Sequence, residues 1–172
     1  QGHAGKVYGL SWAGNSEDFV SVSFDGRMLM WNNTDLKKEP RLNINLRTPW
    51  AMSCAFEPSR CRLLAAGGLD NVCSIYRLPE RFDHSGMATA HGMRVHKELM
   101  GHERYVSSCR FIDETQLLTS SGDHTCGLWD VESGVRVRTL LGHTDDVMSV
   151  SVLPNNSKHI FASGGCDGVL RI

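Results

Sequence analysis

This 172-residue chain predicts an all-β fold, a partial β-propeller of about four blades, and three observations carry that expectation. The first is a pattern that recurs in order: Gly2-His3 with Asp25 and Trp31-Asn32, then Gly101-His102 with Asp123 and Trp129-Asp130, then Gly142-His143 with Asp167. The second is its spacing, since Gly101 to Gly142 spans 41 positions, inside the ~40–45 of four-stranded propeller blades. The third is that no apolar-periodic stretch reaches helical length, while short β-branched runs alternate with Gly, Asp, Asn and Ser clusters.

The first unit, about residues 1–40, contains His3, Asp25 and Trp31. The interval from Gly2 to Gly101 is 99 positions, too long for one unit, and a degenerate second unit over about 41–92 fills it. Laying Val147-Met148-Ser149-Val150 on Ala51-Met52-Ser53-Cys54 puts Arg47 at the His position, Asp70 at the shared Asp and Tyr76 in place of Trp. The third unit, about 93–134, reads as strands near 94–99, 106–111, 116–121 and 126–131, and the fourth runs over about 135–172. Apolar residues fall on both parities of many strands, so each sheet needs cover on both faces, which radial stacking provides. The first residue falls at the Gly-His and Ile172 inside the third strand of unit four. Four units cannot close a ring of about seven, so the expectation is one propeller domain truncated at both ends, roughly half of the whole. Residues 79–92 read as a loop insertion on the side away from the Gly-His loops.

Composition narrows the function classes. With 18 basic and 19 acidic residues the net charge is −1, which provides no electrostatic footprint for nucleic acid and no basic tract for anionic lipid. No apolar run approaches a membrane span and no signal peptide is visible. The cysteines at 54, 61, 73, 109, 126 and 166 form no C-x-x-C pair and read as reduced, mostly buried thiols. Asn32-Asn33-Thr34 and Asn155-Asn156-Ser157 fit the glycosylation pattern but read as turn residues in a reducing compartment.

His102, a Ser in the 119–121 region and Asp123 contain the residue types of a hydrolase triad, yet His3 with Ser21 or Ser23 and Asp25, and His143 with Ser163 and Asp167, repeat the set. An enzyme needs one assembled nucleophile with an oxyanion hole, and no G-x-S-x-G elbow is present. Repetition per blade points to internal wiring: Asp accepts from His, and Ser and the Trp indole complete the tie. His84, His91 and His96 lack acidic or Cys partners at ligand spacing, so no metal or other cofactor is expected. Function is better sought at fixed offsets from the repeat. Three residues after each His, or its equivalent, stand Lys6, Trp50, Tyr105 and Asp146; five after stand Tyr8, Met52, Ser107 and Met148. Leu69 and Asn71 flank Asp70 on the same face. Aromatic, Met and Leu anchors with a polar rim have interface composition, although Tyr8, Met52 and Met148 also suit blade packing.

The strings Ala66-Gly67-Gly68-Leu69-Asp70-Asn71-Val72-Cys73-Ser74-Ile75-Tyr76, Thr119-Ser120-Ser121-Gly122-Asp123-His124-Thr125-Cys126 and Gly142-His143-Thr144-Asp145-Asp146-Val147-Met148-Ser149 resemble WD-repeat propellers, and specifically the beta subunits of heterotrimeric G proteins. Arg47-Thr48-Pro49-Trp50-Ala51-Met52-Ser53-Cys54 fits as well. The resemblance implies a non-catalytic signalling scaffold without cofactor. It implies that a GDP-bound alpha subunit, and effectors in competition with it, dock on Lys6, Tyr8, Trp50, Met52, Leu69, Asn71, Tyr105, Asp146 and Met148. It also implies receptors upstream and a prenylated gamma subunit bound through an N-terminal helix outside this sequence. The complex would then sit in the cytoplasm at the inner face of the plasma membrane. Asn32 after Trp31, the 79–92 insertion, Pro49, Ala51 and Glu103 depart from the commonest members. Two rival readings are an adaptor for an unrelated complex, and a hydrolase using Ser120 or Ser121.

Overall fold

The computed structural model describes residues 2–14, 17–34, 39–79, 93–154 and 160–172. Among these every regular element is a strand: β1 (Val7–Trp12), β2 (Asp18–Ser23), β3 (Arg27–Asn32), β4 (Leu42–Asn45), β5 (Ala51–Phe56), β6 (Leu63–Gly68), β7 (Cys73–Arg77), β8 (Val95–Leu99), β9 (Val106–Phe111), β10 (Gln116–Ser121), β11 (Cys126–Asp130), β12 (Arg136–Leu140), β13 (Val147–Val152), β14 (Phe161–Gly165) and β15 (Leu170–Arg171). They form antiparallel meanders in the orders β1-β2-β3-β4, β5-β6-β7-β8, β9-β10-β11-β12 and β13-β14-β15. Four blades of a β-propeller result. The insertion expected at 79–92 lies outside the described residues except for Pro79, as do His84, His91 and Asn155-Asn156-Ser157.

The sheets are offset from the sequence units by one strand. Leu42–Asn45, at the start of the second unit, closes the first blade against β3; β8 and β12 do the same for the second and third. Each chain crossing from an outer strand to the next inner strand therefore ties neighbouring blades together.

In the second and third blades, strands apolar on both parities are covered on both sides, whereas β1 leaves Val7, Leu10 and Trp12 exposed. Val20, Val22, Met28 and Ile44 of the first blade pack with Cys54, Leu64, Ala66 and Tyr76 of the second. On the other side of β6, Ala65 joins Cys73, Ile75 and Leu99 against Val106, Cys109, Leu117 and Trp129. Leu118 and Cys126 meet Val147 and Val150 in the third layer. Four cysteines, 54, 73, 109 and 126, are buried free thiols, whereas Cys61 is half-buried and Cys166 exposed. Asn32, the departure after Trp31, keeps its turn: its Oδ1 accepts from the Thr34 amide at 3.0 Å and its Nδ2 donates to Asp18 at 2.9 Å.

Candidate partner-binding site

Antiparallel pairing places the start of each inner strand beside the turn joining the second and third strands, so Val7 faces Ser23 and Val147 faces Gly165. The Gly-His loops and these turns thus share one end of the blades. What holds that end is a four-membered chain of side chains. In the third unit Trp129 Nε1 donates to Thr119 Oγ1 at 2.8 Å, Thr119 stands 2.7 Å from His102 Nε2, and His102 Nδ1 donates to Asp123 at 2.6 Å. A neutral imidazole protonated on Nδ1 satisfies every link. Consistent with that, burial pushes the His102 imidazole down despite Asp123 beside it. Burial pushes the Asp123 carboxyl up, but Thr125, His102 and the Glu103 amide outweigh it and hold it at about 2.

The hydroxyl in this chain is Thr119, not Ser120 or Ser121, which the hydrolase reading needed. Ser120 bonds to Ser107 at 2.8 Å and Ser121 donates to the Arg104 carbonyl. Thr119 and Trp129 are 0 % exposed, so no carbonyl substrate reaches that oxygen. Unit one repeats the wiring through Trp31, Ser21, His3 and Asp25, and unit four repeats its Ser163, His143 and Asp167 members. Burial raises and the Ala4 amide and His3 lower the Asp25 carboxyl, which settles at about 2.

The second unit lacks this chain. Arg47 turns to Glu98, Ala66 stands where the others have a hydroxyl, and Tyr76 receives the Arg47 amide at 3.4 Å. Among the described residues Asp70 keeps only the Val72 amide at 3.4 Å on Oδ1, and its buried Oδ2 has no partner. The missing hydroxyl was legible at four residues before each shared Asp.

The positions at fixed offsets come together on this end. Each inner strand carries a β-bulge one residue after its start: the register skips Tyr8, Met52, Ser107 and Met148. A bulge re-aims the extra side chain, and these four bulged positions line a shared groove of about 390 Å³. Tyr8 and Met148 stand exposed, Met52 is half-buried, and Ser107 turns inward to bond the Val147 carbonyl. Lys6 is exposed beside them. Trp50, 50 % exposed, lies immediately before β5, and its carbonyl accepts from the Leu69 amide at 3.2 Å. Tyr105, immediately before β9, donates to Asp146 Oδ2 at 2.6 Å and approaches Met148 Sδ at 3.5 Å, with its ring against Gly122. Burial and then Asp146 push its phenol up to about 12. Asn71 Nδ2 donates to the Glu103 carbonyl at 3.1 Å.

Sequence reasoning missed Phe24, which stacks on Tyr8 at 4.1 Å and Trp50 at 5.6 Å and makes one row of three aromatic rings. The signal was available, because Phe24 precedes Asp25 as Leu69 precedes Asp70. It also missed His124, whose Nε2 lies 3.6 Å from Asp146 Oδ1. Among the described residues His124, Asp145 and Asp146 are the one group with ligand atoms close enough for a metal ion, within 4.8 Å of one another; Arg104 Nη1, 3.9 Å from Asp146, competes for the same carboxylate. His96 is occupied by Arg77 Nη2 at 3.1 Å.

A family model described as WD domain, G-beta repeat matches residues 1–32, 93–130 and 134–172, leaving out the unit whose wiring is gone. The chain is 44 % identical over 167 residues to the guanine nucleotide-binding protein G(I)/G(S)/G(T) subunit beta-1 of Homarus americanus, covering 97 % of this chain and 45 % of that protein. It is also 44 % identical to the subunit beta-1 of Drosophila melanogaster and to the beta subunit of Zea mays, covering 96 % and 100 % of this chain and 45 % of each relative. The chain spans about half the length of the curated relatives it matches.

Proposed function

Because this chain belongs to the WD-domain, G-beta-repeat family, we propose that it provides part of the partner-binding face of a heterotrimeric G protein beta subunit, a non-catalytic scaffold that holds a GDP-bound alpha subunit. The observation that carries the reading is the aromatic row Tyr8–Phe24–Trp50 running into Met52, Tyr105, Met148 and Asp146 at one end of the blades. Large rigid anchors with a charged rim, on a preformed surface, are what a binding hot spot requires. Leu69 adds an apolar anchor, and Lys6 and Asn71 complete the rim.

The scaffold's residues are wired in one arrangement, so control belongs to the partner: alpha binds in its GDP state and leaves when nucleotide exchange reshapes its switch segment. Effectors then use the freed face. Receptors act through the assembled complex, and a lipidated gamma subunit together with alpha keeps it at the inner face of the plasma membrane. No helix among the described residues is long and apolar enough to cross a membrane.

Trp50→Ala is expected to cost on the order of 2 kcal/mol in binding of GDP-bound alpha, measured by titration against the full-length beta–gamma dimer. A loss below about 0.5 kcal/mol with the fold intact, or equal affinity for GDP-bound and activated alpha, overturns the reading.

A further inference from the structure

The residue after the shared Asp takes the left-handed backbone region in all four units, with φ of +73° at Gly26, +65° at Asn71, +69° at His124 and +74° at Gly168. Glycine adopts that region freely, whereas a residue with a Cβ does so against a steric cost that surrounding structure must hold in place. Two units therefore carry a side chain where the backbone favours none, and both side chains cross to the loop entering the next blade, Asn71 in a hydrogen bond and His124 in a longer contact. Asn71 reaches from the second blade to the Glu103 carbonyl in the loop entering the third, and His124 reaches from the third blade to Asp146 in the loop entering the fourth. At the glycine turns the situation differs: Gly26 lies directly against the backbone of Thr48 and Pro49, and Gly168 has nothing within 4 Å of where a Cβ would stand.

We propose that His124 is a positioning residue of the partner-binding surface, bridging two blades to fix the Asp146 carboxylate in the orientation that a cationic side chain of the partner meets. This rests on the proposed function above. Asp146 is held from several directions. Tyr105 donates to Oδ2 at 2.6 Å, His124 stands 3.6 Å from Oδ1, and Arg104 lies 3.9 Å from the same oxygen. Its own amide is tied to Asp145 Oδ1 at 2.8 Å. Without His124, Oδ1 keeps only the more distant and exposed Arg104, and the carboxylate is free to turn about its Tyr105 bond. The left-handed strain at position 124 is then retained for binding, against the interest of stability.

That opposition makes the test decisive. In the full-length beta–gamma dimer, His124→Gly is expected to leave the thermal midpoint unchanged or raised by about 2 °C, because glycine suits φ +69°, while affinity for GDP-bound alpha falls at least fivefold. His124→Asn, which tolerates the same backbone, should recover part of the affinity. In an Asp146→Asn background, His124→Gly should have no further effect on affinity, since the histidine acts through that carboxylate. Affinity within twofold of the parent overturns the inference, as does a loss matched by falling stability or one that persists with Asp146→Asn. Trp50→Ala separates the two failures: if it still weakens binding about thirtyfold while His124→Gly does nothing, only the role of His124 falls.

Discussion

Units two and three occupy equivalent blades and differ in what holds their loops. In unit three Asp123 gathers the His102 imidazole, the Glu103 amide, and the Thr125 amide and hydroxyl, at 2.6, 3.1, 3.0 and 2.6 Å. In unit two Asp70 retains one long amide contact and a buried oxygen with no partner. Yet both blades are four-stranded, and both present exposed or half-exposed candidates at the same offsets, Trp50 and Leu69 in one, Tyr105 in the other. The repeat residues of unit three thus tie its loop, and unit two keeps the same strand arrangement without that tie. Blade-to-blade apolar packing keeps the second blade in place without it.

The largest expected effect tests that difference directly. Asp123→Ala removes four hydrogen bonds and leaves the buried His102 Nδ1 unpaired, so a loss of about 3 kcal/mol is expected in urea unfolding. Asp70→Ala should fall within about 0.5 kcal/mol of the parent or stabilise it, since an unpartnered buried carboxylate oxygen costs rather than contributes. Equal losses at the two positions would erase the distinction between the units.

Acid separates the units next. Asp25 and Asp123 titrate at about 2 in the folded chain against an ordinary 3.8, so each contributes stability that is present above pH ~4 and lost as pH falls toward 2. Unscreened, such a shift corresponds to roughly 2 to 3 kcal/mol, and solvent screening leaves each contribution smaller, that of Asp25 most of all. His102 is pushed down from 6.5, so the unfolded chain binds its proton first and stability already declines as pH drops below about 6.5. Unfolding free energies at pH 7, 5 and 3 should therefore fall in two stages. Replacing Asp123 with Asn should flatten the lower stage, and an unchanged lower stage would remove that carboxylate from the account.

Much of this was legible in the sequence because the signals repeat. Period, strand content, the His–Asp wiring and the surface offsets all follow from comparing copies, and comparison also exposes Arg47 and Tyr76 as departures. What escaped was geometry that no single copy announces. That Tyr8, Met52, Ser107 and Met148 are bulged residues depends on strand register, which pattern alone leaves unfixed by one position. That Thr119 rather than Ser120 bonds His102 depends on which face of β10 each side chain leaves, since adjacent residues leave opposite faces, while Ser121, two positions on at the strand end, donates to the Arg104 carbonyl instead. Phe24 was hidden because Gly122 and Cys166 at the same offset are unlike it in chemistry, so nothing in the pattern marked its stacking between Tyr8 and Trp50.

The smallest expected effect asks whether the wiring can be restored. Arg47→His alone would give Asp70 a donor, but the ring's other nitrogen would face Ala66, so the change should lie within about 0.5 kcal/mol of the parent. Little is lost with the arginine, because its pair with Glu98 is largely exposed. Ala66→Ser alone buries a hydroxyl without a histidine to receive its proton and should cost about 1 kcal/mol. Together the two should recover that loss, with a coupling of about 1 kcal/mol in a double-mutant cycle, while Tyr76 still stands in for the indole. The net gain is small because the second blade already packs on both faces. If the two changes simply add, the His–hydroxyl–Asp chain does not act as a unit, and its absence from unit two explains nothing about Asp70.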